Sequence, residues 1–115
     1  MAGALNVFKT ITADLTTSGN VVYTAVPGYA TVVLMAQISN IDSSNTVDVS
    51  AAVNRTVGNA FTTTFLVKDV AVPTQDAISI LTGRLIMIEG DELEVLATAN
   101  SHAQLTLSLL ETLTA

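Results

Sequence analysis

The side chains able to do acid–base, nucleophilic or metal chemistry are few and scattered. One histidine, His102, stands in the polar stretch Asn100-Ser101-His102. A serine-nucleophile triad needs a histidine as proton shuttle, but a lone histidine between two strands reads first as a turn residue. The densest acidic run is Glu89-Gly90-Asp91-Glu92-Leu93-Glu94. Paired carboxylates can serve acid–base chemistry or bind calcium. Here Gly90-Asp91 has the composition of a turn, and Glu92 and Glu94 fall on one strand face opposite Leu93 and Val95. The aspartate-rich pattern of a calcium loop is missing. Cysteine is absent, which removes disulfides, thiolate zinc sites and thiol nucleophiles together. The 6 glycines form no phosphate-binding loop. These residues point to no catalytic, cofactor-binding or metal site, and the chain is not expected to be an enzyme.

Three further features invite a functional reading. Asn54-Arg55-Thr56 fits the glycosylation sequon, a triplet that arises easily in a chain rich in Asn and Thr. Tyr23, Tyr29 and 3 phenylalanines lack a neighbouring basic cluster, so a base-stacking platform is not supported. Lys9, Arg55, Lys68 and Arg84 are the only lysines and arginines. They serve either solubility and edge protection, or ion pairs with acidic groups of a neighbouring subunit.

The elements that must carry these residues read as strands. Thr and Val are abundant, and β-branched side chains suit a pleated, half-buried surface. Apolar residues recur at period two. Segment 7–15 places Val7, Ile11, Ala13 and Leu15 on one face, with Lys9 interrupting it; segment 20–26 follows, and Pro27-Gly28 makes a turn. Segment 30–40 puts Val32, Leu34, Ala36 and Ile38 on one face. Segment 46–54 turns Val47, Val49, Ala51 and Val53 inward and Asp48, Ser50 and Asn54 outward, and 61–68 sets Phe61, Thr63, Phe65 and Val67 against Thr62, Thr64 and Lys68. Short strands at 78–82 and 84–89 flank Gly83; 92–99 aligns Leu93, Val95, Ala97 and Ala99. The closing 103–113 can be read as a helix from its Leu and Glu content, but alternation of Leu105, Leu107 and Leu109 favours a strand. Eight to nine short strands make an all-β antiparallel sandwich. Residues 1–6 are expected to form an arm and 7–115 a single domain.

Composition narrows the setting. A chain of 115 residues can bury about two thirds of its surface, enough for a core without staples. Asp plus Glu number 10 against 4 Lys plus Arg, a net charge of −6 that repels nucleic-acid phosphates. Only 12% of residues are charged and 50% are hydrophobic. Such a surface suits burial against other subunits. No apolar run reaches the 18 or more residues of a membrane span, and MAGALNVFKT lacks the marks of a signal peptide, so assembly in a cytoplasm without a membrane partner is expected.

The order of features resembles a family of small bacteriophage virion proteins. The resemblance runs from Tyr23-Thr24-Ala25-Val26-Pro27-Gly28-Tyr29 through the strand Thr31 to Asn40, then Val47-Asp48-Val49 and Leu66 to Pro73. It closes with Leu85 to Val95 and Leu107-Ser108-Leu109-Leu110-Glu111. It implies a β-sandwich subunit, often in several copies, that decorates a capsid or forms part of a neck, tail or fibre. With the many short strands, the low charge and the lack of an active-site inventory, the expectation is a jelly-roll-like cement protein, a trimer of its own copies held against the major capsid protein. Alternatives within the virion are a neck, tail, baseplate or fibre component. Outside it, a carbohydrate-binding sandwich is the rival, for which Tyr23 and Tyr29 would be the stacking residues. The interface is expected at the arm Ala2 to Phe8 and at strand faces with outward Val, Met or Leu.

Overall fold

At the end of the chain, alternation prevails over helix propensity. Residues 103–113 form a strand whose Leu105, Leu107 and Leu109 are fully buried. A helix would scatter these three leucines around its circumference, whereas the two-residue period of a strand gathers them on one face. The structure, a computed structural model, describes residues 6–113. Its nine strands are β1 (Asn6–Asp14), β2 (Asn20–Thr24), β3 (Tyr29–Asn40), β4 (Val47–Val57), β5 (Ala60–Val72), β6 (Ala77–Ser79), β7 (Leu85–Met87), β8 (Glu92–Ala97) and β9 (Ala103–Leu113). The expected arm overlaps this region by one residue: Asn6 already belongs to β1, and residues 1–5 lie outside the described part.

The strands form two antiparallel sheets. Sheet A has the order β1-β9-β3, with β6 and β7 both paired to the far side of β3; sheet B has the order β2-β8-β4-β5. β6 pairs with Gln37–Ser39 and β7 with Thr31–Val33, so the two share one strand position. The pairings β4–β5, β3–β6/β7, β2–β8 and β1–β9 nest inside one another like a single long hairpin. Rolling that hairpin up adds the β3–β9 and β4–β8 ladders. Eight strand positions in two sheets, wound this way, make a jelly roll.

The innermost turn is built by its residues. Val57 pairs with Ala60 across Gly58-Asn59. Gly58 has φ +62 while Asn59 does not enter the positive-φ region, the pattern of a type II′ hairpin with glycine at its first central position. The inner faces of the sheets make one core that includes Leu15, Ile38, Met87, Leu93, Leu105, Leu107 and Leu109. Each such side chain contributes about 1.5–3 kcal/mol by leaving water.

Register shifts at four places, one of them in β2, and the three in β3 and β5 move particular residues. In β3 the register against β9 shifts between Val33 and Met35. Val33 is therefore buried together with Ala36 and Ile38, while Leu34 stands 39% exposed, so the expected single face of Val32, Leu34, Ala36 and Ile38 is corrected. In β5 two extra residues oppose β4, near Asp69 and at Leu66. Asp69 sits at φ +51 and its N–H donates to Ser50 Oγ at 2.9 Å. These bulges turn Leu66 and Val67 toward the core and leave Phe61 and Phe65 exposed, against the expected grouping of 61–68. Ser50 and Asn54, expected outward and solvated, are buried under their hydrogen-bond partners.

Candidate interaction surface

Asp91 is a buried anchor rather than a simple turn residue. Its carboxylate accepts Arg55 Nε at 2.9 Å and Nη2 at 2.5 Å, and also the Ile88 N–H at 3.0 Å. Gly90, at φ +87, lets the chain turn back so that Asp91 O accepts the Ala25 N–H. The Arg55 fork holds the Asp91 carboxyl below the usual carboxylate range, against the opposing effect of burial. Arg55 thus pairs within its own chain. So does Lys9, whose Nζ lies 3.0 Å from Glu111 Oε1.

Glu111 continues the buried face of Leu105, Leu107 and Leu109 and is itself buried. Tyr23 reaches across from sheet B and donates its hydroxyl proton to Glu111 Oε2 at 2.6 Å, while the Thr31 hydroxyl, 2.8 Å away, donates to Tyr23. Burial pushes Glu111 up, but the Tyr23 and Lys9 hydrogen bonds outweigh it and its pKa lies below the ordinary value. Burial, aided by the Glu111 carboxylate, pushes Tyr23 up to about 12. This cluster closes one end of the core. It uses up the Tyr23 hydroxyl and buries its ring, so Tyr23 cannot stack on a sugar.

The remaining marked residues are separate. His102 Nδ1 lies 3.0 Å from Asp42 Oδ2, outside hydrogen-bonding geometry, so the contact becomes an ion pair only when the ring is protonated. Asp42 is held below its usual range by the Ser44 N–H and the Asn45 amide, with His102 adding a smaller share. The sequon asparagine, Asn54, donates to Glu94 Oε1 at 3.0 Å and Glu92 Oε1 at 3.4 Å and accepts the Thr63 hydroxyl at 2.8 Å. Its amide is engaged and buried, closed to a glycan in the folded chain. Lys68 Nζ rests 5.1 Å from the centre of the Phe65 ring. Within the described residues, Lys68 and Arg84 make no ion pair or hydrogen bond, and Arg84 rests on no aromatic ring either.

What the sheets do bring together is an apolar row on the outer face of sheet A. Phe8 is opposite Leu110, Leu110 opposite Val32, and Val32 opposite Ile86, so four side chains line up across β1, β9, β3 and β7. Opposite residues have Cβ atoms about 4.5–5.5 Å apart, which makes the row continuous. Phe8 is 74% exposed and Ile86 54%; the bulge adds Leu34 and Met35 on one side, and Ile88 stands on the other. The same face turns polar toward the opposite end of the strands, where Thr12 is opposite Thr106 and Asp14 opposite Gln104. Sequence reading expected outward aliphatics but not this alignment, which depends on register between residues up to about a hundred positions apart.

No family model matches the sequence, and no curated protein matches it. Among solved structures, the fold is similar to part of a chain in the crystal structure of the IBDV viral particle, with a TM-score of 0.56 and 10% sequence identity. The match covers 96% of this chain and 31% of that one. At that identity the likeness is one of fold: a jelly-roll sandwich of the sort found in an icosahedral virus particle. This chain spans under a third of the viral protein it resembles.

Proposed function

We propose that this chain is a non-catalytic structural subunit of a bacteriophage particle, a decoration protein that binds the outside of an assembled shell. The observation that carries the reading is the outer face of sheet A, where large apolar side chains line up in a continuous row across four strands, exposed most at Phe8 and Ile86. Soluble monomers rarely leave such rows bare, and contact surfaces are where they occur. The fold's likeness to part of a viral particle chain and the sequence's resemblance to small phage virion proteins agree with it. In this reading the protein contacts both its own copies and the major capsid protein. It binds the assembled shell and not loose subunits, and so shifts the equilibrium toward the shell by mass action.

The test is to add purified protein to shells that lack it. Binding that co-sediments with assembled shells, and raises the temperature at which they come apart, is the expected result. Protein that stays in the supernatant at saturating concentration rejects the proposal. An image of the particle separates decoration from a neck, tail, baseplate or fibre role, since decoration spreads copies over the whole shell.

A further inference from the structure

We infer that the apolar row across β1, β9, β3 and β7 is where two copies of this chain pack face to face, about a two-fold axis that runs along the row. The inference deepens the proposed function and rests on it only for the setting in a particle.

Size, charge and symmetry each support a second copy as the occupant. A standard interface takes about 800 Å² from each partner, of which roughly 57% is apolar. Taking about 150–200 Å² for a bare side chain of this size, Phe8, Ile86, Ile88, Leu34 and Met35 at their fractional exposures supply on the order of 400 Å². That is close to the apolar core of such an interface. Charge then selects the face. The chain carries −6 overall, so two copies repel unless they approach through an uncharged region. The outer face of sheet B presents Glu92 and Glu94 from β8 and Asp48 from β4. The strands of sheet A present only Asp14 on theirs, six residues along β1 from Phe8 and so about 20 Å from the row.

Symmetry follows from the row's direction. It runs across the strands, so a two-fold axis along it reverses every strand and lays the row on itself, with each side chain against its own mate. Two sheets packed in this way sit about 10 Å apart with their side chains interdigitated. Arg84 and Glu89 bracket Ile86 along the chain, one on either side. The same axis brings the cation of one copy over the carboxylate of the other. Arg84 has no ionic partner within the described residues, and Glu89 accepts only the Gly28 N–H, at 3.3 Å. A linear, self-matching row suits a pair rather than the trimer expected from the sequence.

The cysteine-free sequence makes the test direct. Phe8→Cys and Ile86→Cys should each be joined into covalent dimers by a short bis-maleimide, and Thr12→Cys, on the polar half of the same face, should not. In sedimentation velocity the natural protein should run as a dimer, and Phe8→Asp/Ile86→Asp as a monomer with unchanged far-ultraviolet circular dichroism. Arg84→Glu should weaken pairing at least tenfold, and Arg84→Glu/Glu89→Arg should recover it. A natural protein that is monomeric at high micromolar concentration, or a charged double variant that still pairs, overturns the inference. Shell co-sedimentation keeps the two claims apart. Binding as a monomer sinks the pairing and leaves the proposed function standing, whereas pairing without shell binding does the reverse.

Discussion

The two outer faces of this sandwich are made by the same kind of strand and differ in charge: sheet B sets acidic side chains beside the exposed Phe61 and Phe65, while the apolar row of sheet A carries none. On sheet B, two of the three outward positions of β8 are Glu92 and Glu94, and Asn54 from β4 ties both to Thr63 of β5. On sheet A, the outward positions at one end are Phe8, Leu110, Val32 and Ile86. The inward positions of both sheets are equally aliphatic. Fold stability therefore draws on the inner faces of both sheets, while the choice between solvated and contact-making surface is written in the outer positions alone.

The sharpest way to break that division is to compare neighbours on β9. Leu109 faces the core and is fully buried, while Leu110 faces out in the row. Leu109→Ala should cost about 2–5 kcal/mol in chemical denaturation, and Leu110→Ala much less in the isolated subunit. Equal losses would show that the row is core and not surface.

Next in size is the Tyr23 link between sheets. Its folded-state pKa of about 12 lies above the ordinary 10.0, so its contribution is complete below pH 10 and is lost as pH rises toward 12. Two units correspond to about 2–3 kcal/mol. Thermal melts of the natural protein should drop across that window, and those of Tyr23→Phe should drop less.

Asp91 tests whether an acid of the 89–94 run is structural. Asp91→Asn should cost about 1–2 kcal/mol, the lower end of charge-assisted bonding because Arg55 is partly exposed. Since the folded pKa is depressed, the natural protein should lose this stabilisation as pH falls from about 4 through the lowered value, and the variant should not. The smallest effect belongs to sheet B's outer face: Glu92→Gln should change stability by less than about 0.5 kcal/mol and leave the sedimentation coefficient unaltered. A loss of pairing there would reverse the assignment of faces.

Much of this architecture was legible in residue periodicity. The number of strands and the inward leucines of β9 follow from alternation and turn residues, because each is a local property. The bulges were not legible. Leu34 and Leu66 look like ordinary members of an alternating run, and only pairing with β9 or β4 shows an extra residue. The turn at Gly90-Asp91 was legible from its composition, but the anchoring role of Asp91 was not, because the carboxylate's partner, Arg55, comes from 36 residues away. The cations read as possible links to another subunit divide likewise, with Lys9 and Arg55 satisfied internally and Lys68 resting on Phe65. The row itself is composed of unremarkable single hydrophobes whose alignment no local pattern encodes.

Residues 8, 32, 86 and 110 come from nearly the full span of the polypeptide. No nascent chain still lacking β9, and no fragment missing β1, can display the complete strip, because Leu110 at its centre and Phe8 at its edge are contributed by strands far apart in the sequence. Were two copies to pair through this strip as inferred, recognition would double as a quality check, since only a molecule with both β1 and β9 in place could engage its twin.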